Sequence, residues 1–175
     1  KVFSNSIFKL NKIQKLIGNP IYSSTIQKKQ LTKALMRCDV AIGTIKSSTS
    51  KESVITEDMV VKMKKGSIII DVSIDTGGTF QTSELTNHDK PTFVKHDVIH
   101  YCVPNIPSRY SRTSSLCLSN IITPYLVKSV RFGSFENFIR NNNSFKKGVY
   151  LYNGLNTNMI ISQILGIKYN DINNI

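Results

Sequence analysis

One stretch constrains this chain more than any other: Gly66 to Phe80, which reads G-S-I-I-I-D-V-S-I-D-T-G-G-T-F. Ser67-Ile68-Ile69-Ile70 is a short, β-branched apolar run, the pattern of a strand buried on both faces of a parallel sheet. Gly66 before it marks the end of a helix. The run stops at Asp71, with Asp75 just beyond and then Gly77-Gly78, a pair that permits positive φ or close approach of backbone to a ligand. Ligands of open α/β sheets bind at the carboxyl ends of the strands, so this edge is the candidate site.

The neighbouring segments extend the pattern into alternating units. Lys1-Val2-Phe3 reads as a strand. Ile7, Leu10, Ile13 and Leu16-Ile17 recur at helical spacing up to Gly18. Ile21-Tyr22 reads as a second strand, with Ser23-Ser24-Thr25 behind it. Ile26, Leu31, Ala34 and Leu35 predict a helix closing at Arg37-Cys38, and Asp39 to Gly43 is a compact strand. The loop from Thr44 to Ser53 is rich in Ser, Thr and Lys and is expected to be exposed and mobile. Thr56 is placed to cap a helix with Glu57 and Asp58 in its first turn, Lys62, Lys64 and Lys65 in its last, and Gly66 as its stop. The order β-α-β-α-β-α-β up to Phe80 predicts an α/β fold, half of a doubly wound parallel sheet.

Thr92-Phe93-Val94 and Val98 to Val103 predict two further strands, the second ending on Pro104-Asn105-Ile106-Pro107. From Arg112 the character changes. Leu116, Leu118, Ile121-Ile122, Tyr125-Leu126 and Val130 predict a long helix kinked at Pro124. Ser134 is placed to cap a helix through Phe138 and Ile139, Asn141 to Asn143 a loop, Val149 to Tyr152 an extended segment, and Thr157 to Leu165 a last helix stopped by Gly166.

With 175 residues and 40% apolar content, the chain suits one core with an appended helical part. No apolar run approaches the roughly 20 residues of a membrane span, and Lys1-Val2-Phe3-Ser4 does not open a secretion signal, so a cytoplasmic location and no membrane partner are expected. Cys38, Cys102 and Cys117 have no metal-site or disulfide-framework spacing, and the expectation is buried, reduced thiols and no metal. The formal charge of +12 raises the question of nucleic acid. However, Lys28-Lys29, Lys64-Lys65 and Lys146-Lys147 are isolated doublets without interleaved aromatics, so the charge reads as a solvated surface.

A collinear series of motifs carries a family resemblance. Ile74-Asp75-Thr76-Gly77-Gly78 with Phe80, Thr86-Asn87-His88-Asp89 with Pro91, His100 to Pro107, Arg112-Thr113-Ser114, Leu118-Ser119-Asn120 and Pro124-Tyr125 together resemble the carboxyl-terminal half of alanine dehydrogenase, within the alanine dehydrogenase and pyridine nucleotide transhydrogenase family. The resemblance extends to Asp39–Gly43, the Thr56 helix, Gly148-Val149-Tyr150 and Asp171-Ile172-Asn173, and covers nearly the whole chain.

It implies an NAD-dependent oxidative deamination of L-alanine to pyruvate and ammonia, by a protein that assembles from identical subunits. It also implies a Rossmann nucleotide domain over Lys1 to Ser111, and a helical part, Arg112 to Ile175, that returns to pack on a substrate domain. Asp75 matches the acid beside the nicotinamide that is given a part in catalysis. Val103, Asn105 and Ile106 match residues lining the nicotinamide pocket, and Thr44 and Ile45 match the loop under the adenosine side. Asp71 reads as structural. The alternative for Asp75 is an acid that merely caps the Gly-rich turn.

The chain departs from the family pattern in places. Thr76 replaces a glutamine. Ser4 stands where the family has the acid that accepts hydrogen bonds from the adenosine ribose, and a serine can bond that hydroxyl without supplying charge. The Gly-rich pyrophosphate fingerprint, the substrate-binding Arg and Lys and the catalytic His all belong to the amino-terminal half of the family, which is therefore an expected partner in cis or in trans. His88, His96 and His100 do not replace that His. Two other classes compete with a dehydrogenase part: an inactive remnant or module that binds a nucleotide or a partner, and a basic nucleic-acid binder.

Overall fold

The computed structural model describes residues 1–45 and 53–174. Most of the loop expected between Thr44 and Ser53 lies outside the described residues. The chain divides into two compact units, Lys1–Arg109 and Tyr110–Ile175.

The first unit begins with β1 (Val2–Ser4), α1 (Ile7–Ile17) and β2 (Ser23–Thr25), followed by α2 (Lys28–Leu35) and β3 (Val40–Gly43). Helix α1 starts where the Ser6 side chain accepts from the Lys9 N–H and stops at Gly18 in the left-handed region, as its spacing requires. Strand β2 corrects the sequence reading, because the strand is Ser23–Thr25 and not Ile21-Tyr22. The ladder with β1 sets the register at Val2 opposite Ser23, and Tyr22 contributes only its carbonyl, to the Val2 N–H. Pairing overrode the local apolar signal.

The first unit continues with α3 (Glu57–Val60), β4 (Ile68–Asp71), β5 (Thr92–Lys95) and β6 (Val98–Tyr101). Helix α3 is a single turn rather than a helix reaching Lys65. After Val60 the bonds tighten to Lys62 N to Met59 O and Met63 N to Val60 O, which buries Met63 and leaves Lys62, Lys64 and Lys65 exposed in turns. Thr56 stands at the N-cap as expected, but its side chain makes no capping hydrogen bond. Its hydroxyl is buried without a partner among the described residues, and the Gln81 amide oxygen accepts the Glu57 N–H instead.

The strands form a two-stranded sheet, β1-β2, and a four-stranded sheet in the order β3-β4-β6-β5. The pairs β1/β2, β3/β4 and β4/β6 are parallel. Strand β5 is an antiparallel edge, joined to β6 through His96 and Asp97, both at positive φ, the conformation of a tight hairpin turn. Leu31 and Leu35 of α2, Met59 and Val60 of α3, and Met63 pack with Ile69 and Val98 to form the core.

The second unit holds α4 (Ser111–Arg131), α5 (Phe135–Arg140), α6 (Asn143–Lys146), the hairpin β7 (Leu151–Tyr152) and β8 (Leu155–Asn156), and α7 (Met159–Leu165). Helix α4 runs through Pro124 as one element. Ser134 caps α5 as expected. Asn142, expected in a loop, caps α6 by accepting from the Ser144 and Phe145 N–H groups. Phe138 is buried at the centre of this unit, 5.0 Å from Phe145 and 5.7 Å from Phe132 between ring centroids. No described helix is long and apolar enough to cross a membrane.

Candidate functional site

Strands β3, β4 and β6 are adjacent, so their carboxyl ends bring three segments to one edge: Thr44-Ile45, Asp71 to Phe80, and Cys102 to Ile106. The middle segment is held from inside by Asp71. Its carboxylate is fully buried and accepts at Oδ1 from the Ser73 N–H (3.2 Å) and hydroxyl (2.8 Å). At Oδ2 it accepts from the N–H groups of Thr79 (2.8 Å) and Phe80 (3.2 Å) and from the Ser83 hydroxyl (2.8 Å). A buried acid satisfied in this way is a frame, which agrees with the structural reading of Asp71.

Thr79 extends the frame to the neighbouring strand. Its hydroxyl oxygen lies 2.8 Å from Ser73 Oγ and accepts the Ile45 N–H at 3.1 Å. Gly43 makes the contact possible, since a Cβ there would fall 2.6 Å from both Thr79 Cβ and Phe80 Cε2. Sequence reasoning missed Gly43, Ser73, Thr79 and Ser83 as parts of the site. The available signal was the run of short hydroxyl residues following an acid at the end of an apolar strand, a pattern that favours side-chain bonds to turn backbone.

Asp75 sits in a short 3-10 turn, Ile74–Thr76, and its side chain is exposed. No described residue hydrogen-bonds its carboxylate, while the Thr76 and Gly78 N–H groups go to the Ser73 carbonyl and the Ser73, Thr79 and Phe80 N–H groups to Asp71. Asp71 thus braces the segment on both sides of the turn. Gly77 and Gly78 both have positive φ, and a Cβ on Gly78 would lie 3.1 Å from Asp71 Oδ2. The exposed Thr76 hydroxyl bonds the Ser73 carbonyl.

Beyond β6, Val103 is buried and Asn105 is exposed with φ of 52°, its carbonyl accepting the Ser108 N–H and hydroxyl. Ile106 opens the 3-10 turn that follows. Thr44 is exposed and Ile45 half-buried. Ser4 ends β1 in the other sheet, its Oγ accepting the Ser6 N–H at 3.2 Å. The edge of the larger sheet therefore gathers Asp75, Val103, Asn105, Ile106, Thr44 and Ile45, and Ser4 stands apart on β1. A cavity of about 730 Å³ includes Thr44 and Ile45 but not Asp75, Val103, Asn105 or Ile106.

The histidines have other work. His100 is fully buried, stacked on Phe93 at 4.8 Å, with Nδ1 3.0 Å from the Val98 carbonyl and Nε2 2.8 Å from the Thr82 hydroxyl. A carbonyl only accepts, so Nδ1 carries the proton and Nε2 accepts from Thr82. Burial pushes its pKa down. His96 pairs with Glu57 at 2.6 Å, and His88 with Ser108. The cysteines are free. Burial pushes the Cys38 and Cys102 thiols up, whereas Cys117 is exposed on α4, against the expectation that all three are buried.

Residues 1–159 match the family model described as "Alanine dehydrogenase/PNT, C-terminal domain". The chain belongs to the alanine dehydrogenase/PNT family. Among its relatives in this family is alanine dehydrogenase 2 of Staphylococcus aureus (strain USA300), 33% identical over 166 residues, which are 94% of this chain and 44% of that protein. The same protein from strain NCTC 8325 matches equally. A solved structure titled L-alanine dehydrogenase superposes with a TM-score of 0.83 at 25% identity, over 94% of this chain and 45% of its own. A transhydrogenase from Sinorhizobium meliloti shares the fold, with a TM-score of 0.61 at 16% identity over 79% of this chain and 37% of its own. This chain therefore corresponds to the carboxyl-terminal half of alanine dehydrogenase and spans less than half the length of these relatives, and its Rossmann-like α/β fold with carboxyl-terminal helices is that of the family.

Proposed function

We propose that this chain is the carboxyl-terminal part of an NAD-dependent alanine dehydrogenase. Joined to an amino-terminal half in cis or in trans, it takes part in converting L-alanine, NAD and water to pyruvate, ammonia and NADH. The observation that carries this reading is Asp75: an exposed carboxylate beyond the end of β4 that makes no hydrogen bond among the described residues, on a segment braced by Asp71 and the Ser73 carbonyl. Its place in a chain 33% identical to an alanine dehydrogenase over 94% of its length supports a part for it in that chemistry.

The residues present fit the polar ends of a dinucleotide. The edge offers the Asp75 carboxylate, the exposed Asn105 side chain and the exposed Thr44 hydroxyl beside the apolar Val103 and Ile106. NAD, when bound, accepts the hydride that leaves the α-carbon of alanine. Asp75 accepts a charge-assisted hydrogen bond from a ribose hydroxyl, or from the ammonium or water of the reaction. Val103, Asn105 and Ile106 line the nicotinamide side, Thr44 and Ile45 lie under the adenosine side, and Ser4 bonds a ribose hydroxyl without adding charge. In this reading Lys1 to Ser111 is the nucleotide domain and Arg112 to Ile175 the returning helical part. The exposed apolar side chains of α4, among them Leu116, Ile121 and Val127, suit a helix that packs on a further domain.

The test is Asp75→Asn in the enzyme completed by an amino-terminal half. The expected result is a kcat lowered by about 100-fold with NAD affinity changed less than about threefold. Equal losses in both would reduce Asp75 to a cofactor-positioning residue, and no loss in either would remove it from the site.

A further inference from the structure

We propose that Thr79 is a positioning residue of the dehydrogenase, whose buried hydroxyl couples the adenosine-side segment Thr44-Ile45 to the turn that carries Asp75. The role in turnover rests on the reading of this edge as the cofactor site, whereas the hydrogen-bond line beneath it rests on geometry alone. Three polar side chains make the line. Thr79 is 2% and Ser73 5% exposed, and Asp71 is fully buried. Water does not compete for bonds placed in this way, and each is stronger than it would be at the surface.

Proton count fixes the direction of the line. A hydroxyl has one proton to give and lone pairs with which to accept. Asp71 Oδ1 accepts from the Ser73 hydroxyl at 2.8 Å, so that proton is spent. Ser73 Oγ and Thr79 Oγ1 lie 2.8 Å apart, and the proton between them therefore comes from Thr79. The Ile45 carbonyl, 3.3 Å from the same hydroxyl, is the poorer acceptor and is left out. Thr79 Oγ1 accepts the Ile45 N–H at 3.1 Å. The line thus runs one way, from the Ile45 N–H to Thr79, to Ser73 and to the Asp71 carboxylate, and bonds aligned like this polarise one another.

Both ends of the line are tied to the site. At one end β3 lies so close that a Cβ on Gly43 would fall 2.8 Å from Thr79 Oγ1, which leaves no gap between the end of that strand and the hydroxyl. At the other, the Ser73 carbonyl accepts the N–H groups of Thr76 and Gly78, each at 2.9 Å, and the Thr76 hydroxyl at 3.1 Å, so the turn that carries Asp75 hangs on Ser73. Thr79 is fixed between them, its N–H held by Asp71 and its carbonyl by the Ile55 N–H. A shift of Ile45 by a ligand on the adenosine side reaches the Asp75 turn through two hydroxyls. Contacts to a remote part of a substrate raise turnover when they are spent on alignment at the reacting centre, and this line is the route by which adenosine contacts align Asp75.

Two measurements test the coupling. The first uses the chain as it is, with neither NAD nor alanine present. Thr79→Val keeps the shape and removes the hydroxyl, and Thr79→Ser keeps the hydroxyl. Thr79→Val should speed amide exchange by at least about tenfold at Ile45, Thr76 and Gly78 together, with Ile99, whose N–H bonds the Ser67 carbonyl, unchanged as a report on folding. Thr79→Ser should stay within about threefold of the parent at all of them. Faster exchange confined to Ile45 would overturn the proposal. Where Thr79→Val loses the protection of Ile99 as well, Ser73→Ala decides: faster exchange at Ile45, to which Ser73 is not bonded, supports the line, and unchanged exchange there overturns it. The second measurement uses the enzyme completed by an amino-terminal half and compares NAD with nicotinamide mononucleotide, which has no adenosine. The parent kcat should be at least about tenfold higher with NAD, Thr79→Val should cut that ratio below about threefold, and Thr79→Ser should restore it. A Thr79→Val variant that loses the same factor with both cofactors, or that only raises KM for NAD, would leave Thr79 a structural residue and overturn the proposal, as would a parent with equal kcat for the two. A completed parent inactive with NAD would remove the dehydrogenase reading, and with it the part of Thr79 in turnover, even where exchange upholds the line, so the two failures are told apart.

Discussion

Two acids four residues apart stand in opposite surroundings, Asp71 buried and Asp75 exposed, and we propose the working role for Asp75 alone. Asp71 is buried and receives the backbone N–H groups of Thr79 and Phe80. Asp71→Asn puts an amide where only an acceptor fits, and we expect a loss of about 2–3 kcal/mol in denaturant unfolding. Asp75→Asn, on an exposed side chain, should change stability by no more than about 0.5 kcal/mol. If the two variants cost the same, the division between frame and working acid is wrong. His100 gives a pH dependence with a definite sign. Its folded pKa is held below the ordinary value of about 6.5 by burial. The unfolded chain therefore binds a proton that the folded chain refuses, and stability present above about pH 6.5 is lost as the pH falls below it. Unfolding midpoints at about pH 7.5 and about pH 5.5 should differ less in His100→Gln than in the parent chain. An equal drop in both would assign the effect to other groups.

At the scale of elements, what could be read from the sequence followed the strength of local pattern. Helix α1 has a capping serine, helical spacing and a glycine stop, and its bounds are those expected. Strand β4, with three isoleucines in a row, was equally plain. Where partners decide, the pattern misled. Strand β2 is polar because its register is imposed by β1, and α3 stops after one turn because tightened bonds sink Met63 into the core. Strand β8 was missed, although Asn153-Gly154 between Tyr152 and Leu155 is a hairpin signal, and both residues take positive φ. The edge carrying Asp75 was legible as a strand end, but the hydroxyl network binding it to β3 was not, because Ser73 and Thr79 acquire their roles only when Gly43 lets the strands close. Gly43→Ala tests that contact. A Cβ at 2.6 Å from Thr79 and Phe80 forces the two segments apart, with an expected cost of about 1–3 kcal/mol in unfolding free energy. A neutral outcome would show that the junction between Ile45 and Thr79 can shift without penalty.

For the whole molecule, the first unit holds its core on one side of the larger sheet and leaves open edges and apolar surface on the other. The chain spans 44% of a relative named alanine dehydrogenase, and on our account its cofactor edge works only when the substrate-binding half is supplied. The most direct test joins the amino-terminal half of S. aureus alanine dehydrogenase 2 in frame ahead of Lys1 and follows NADH formation from L-alanine and NAD, with folding of the chimera checked by circular dichroism. The account predicts NADH production by the chimera that requires both L-alanine and NAD, and none by the present chain alone. A folded chimera that forms no NADH, or a present chain that turns over as fast as the chimera, would contradict it.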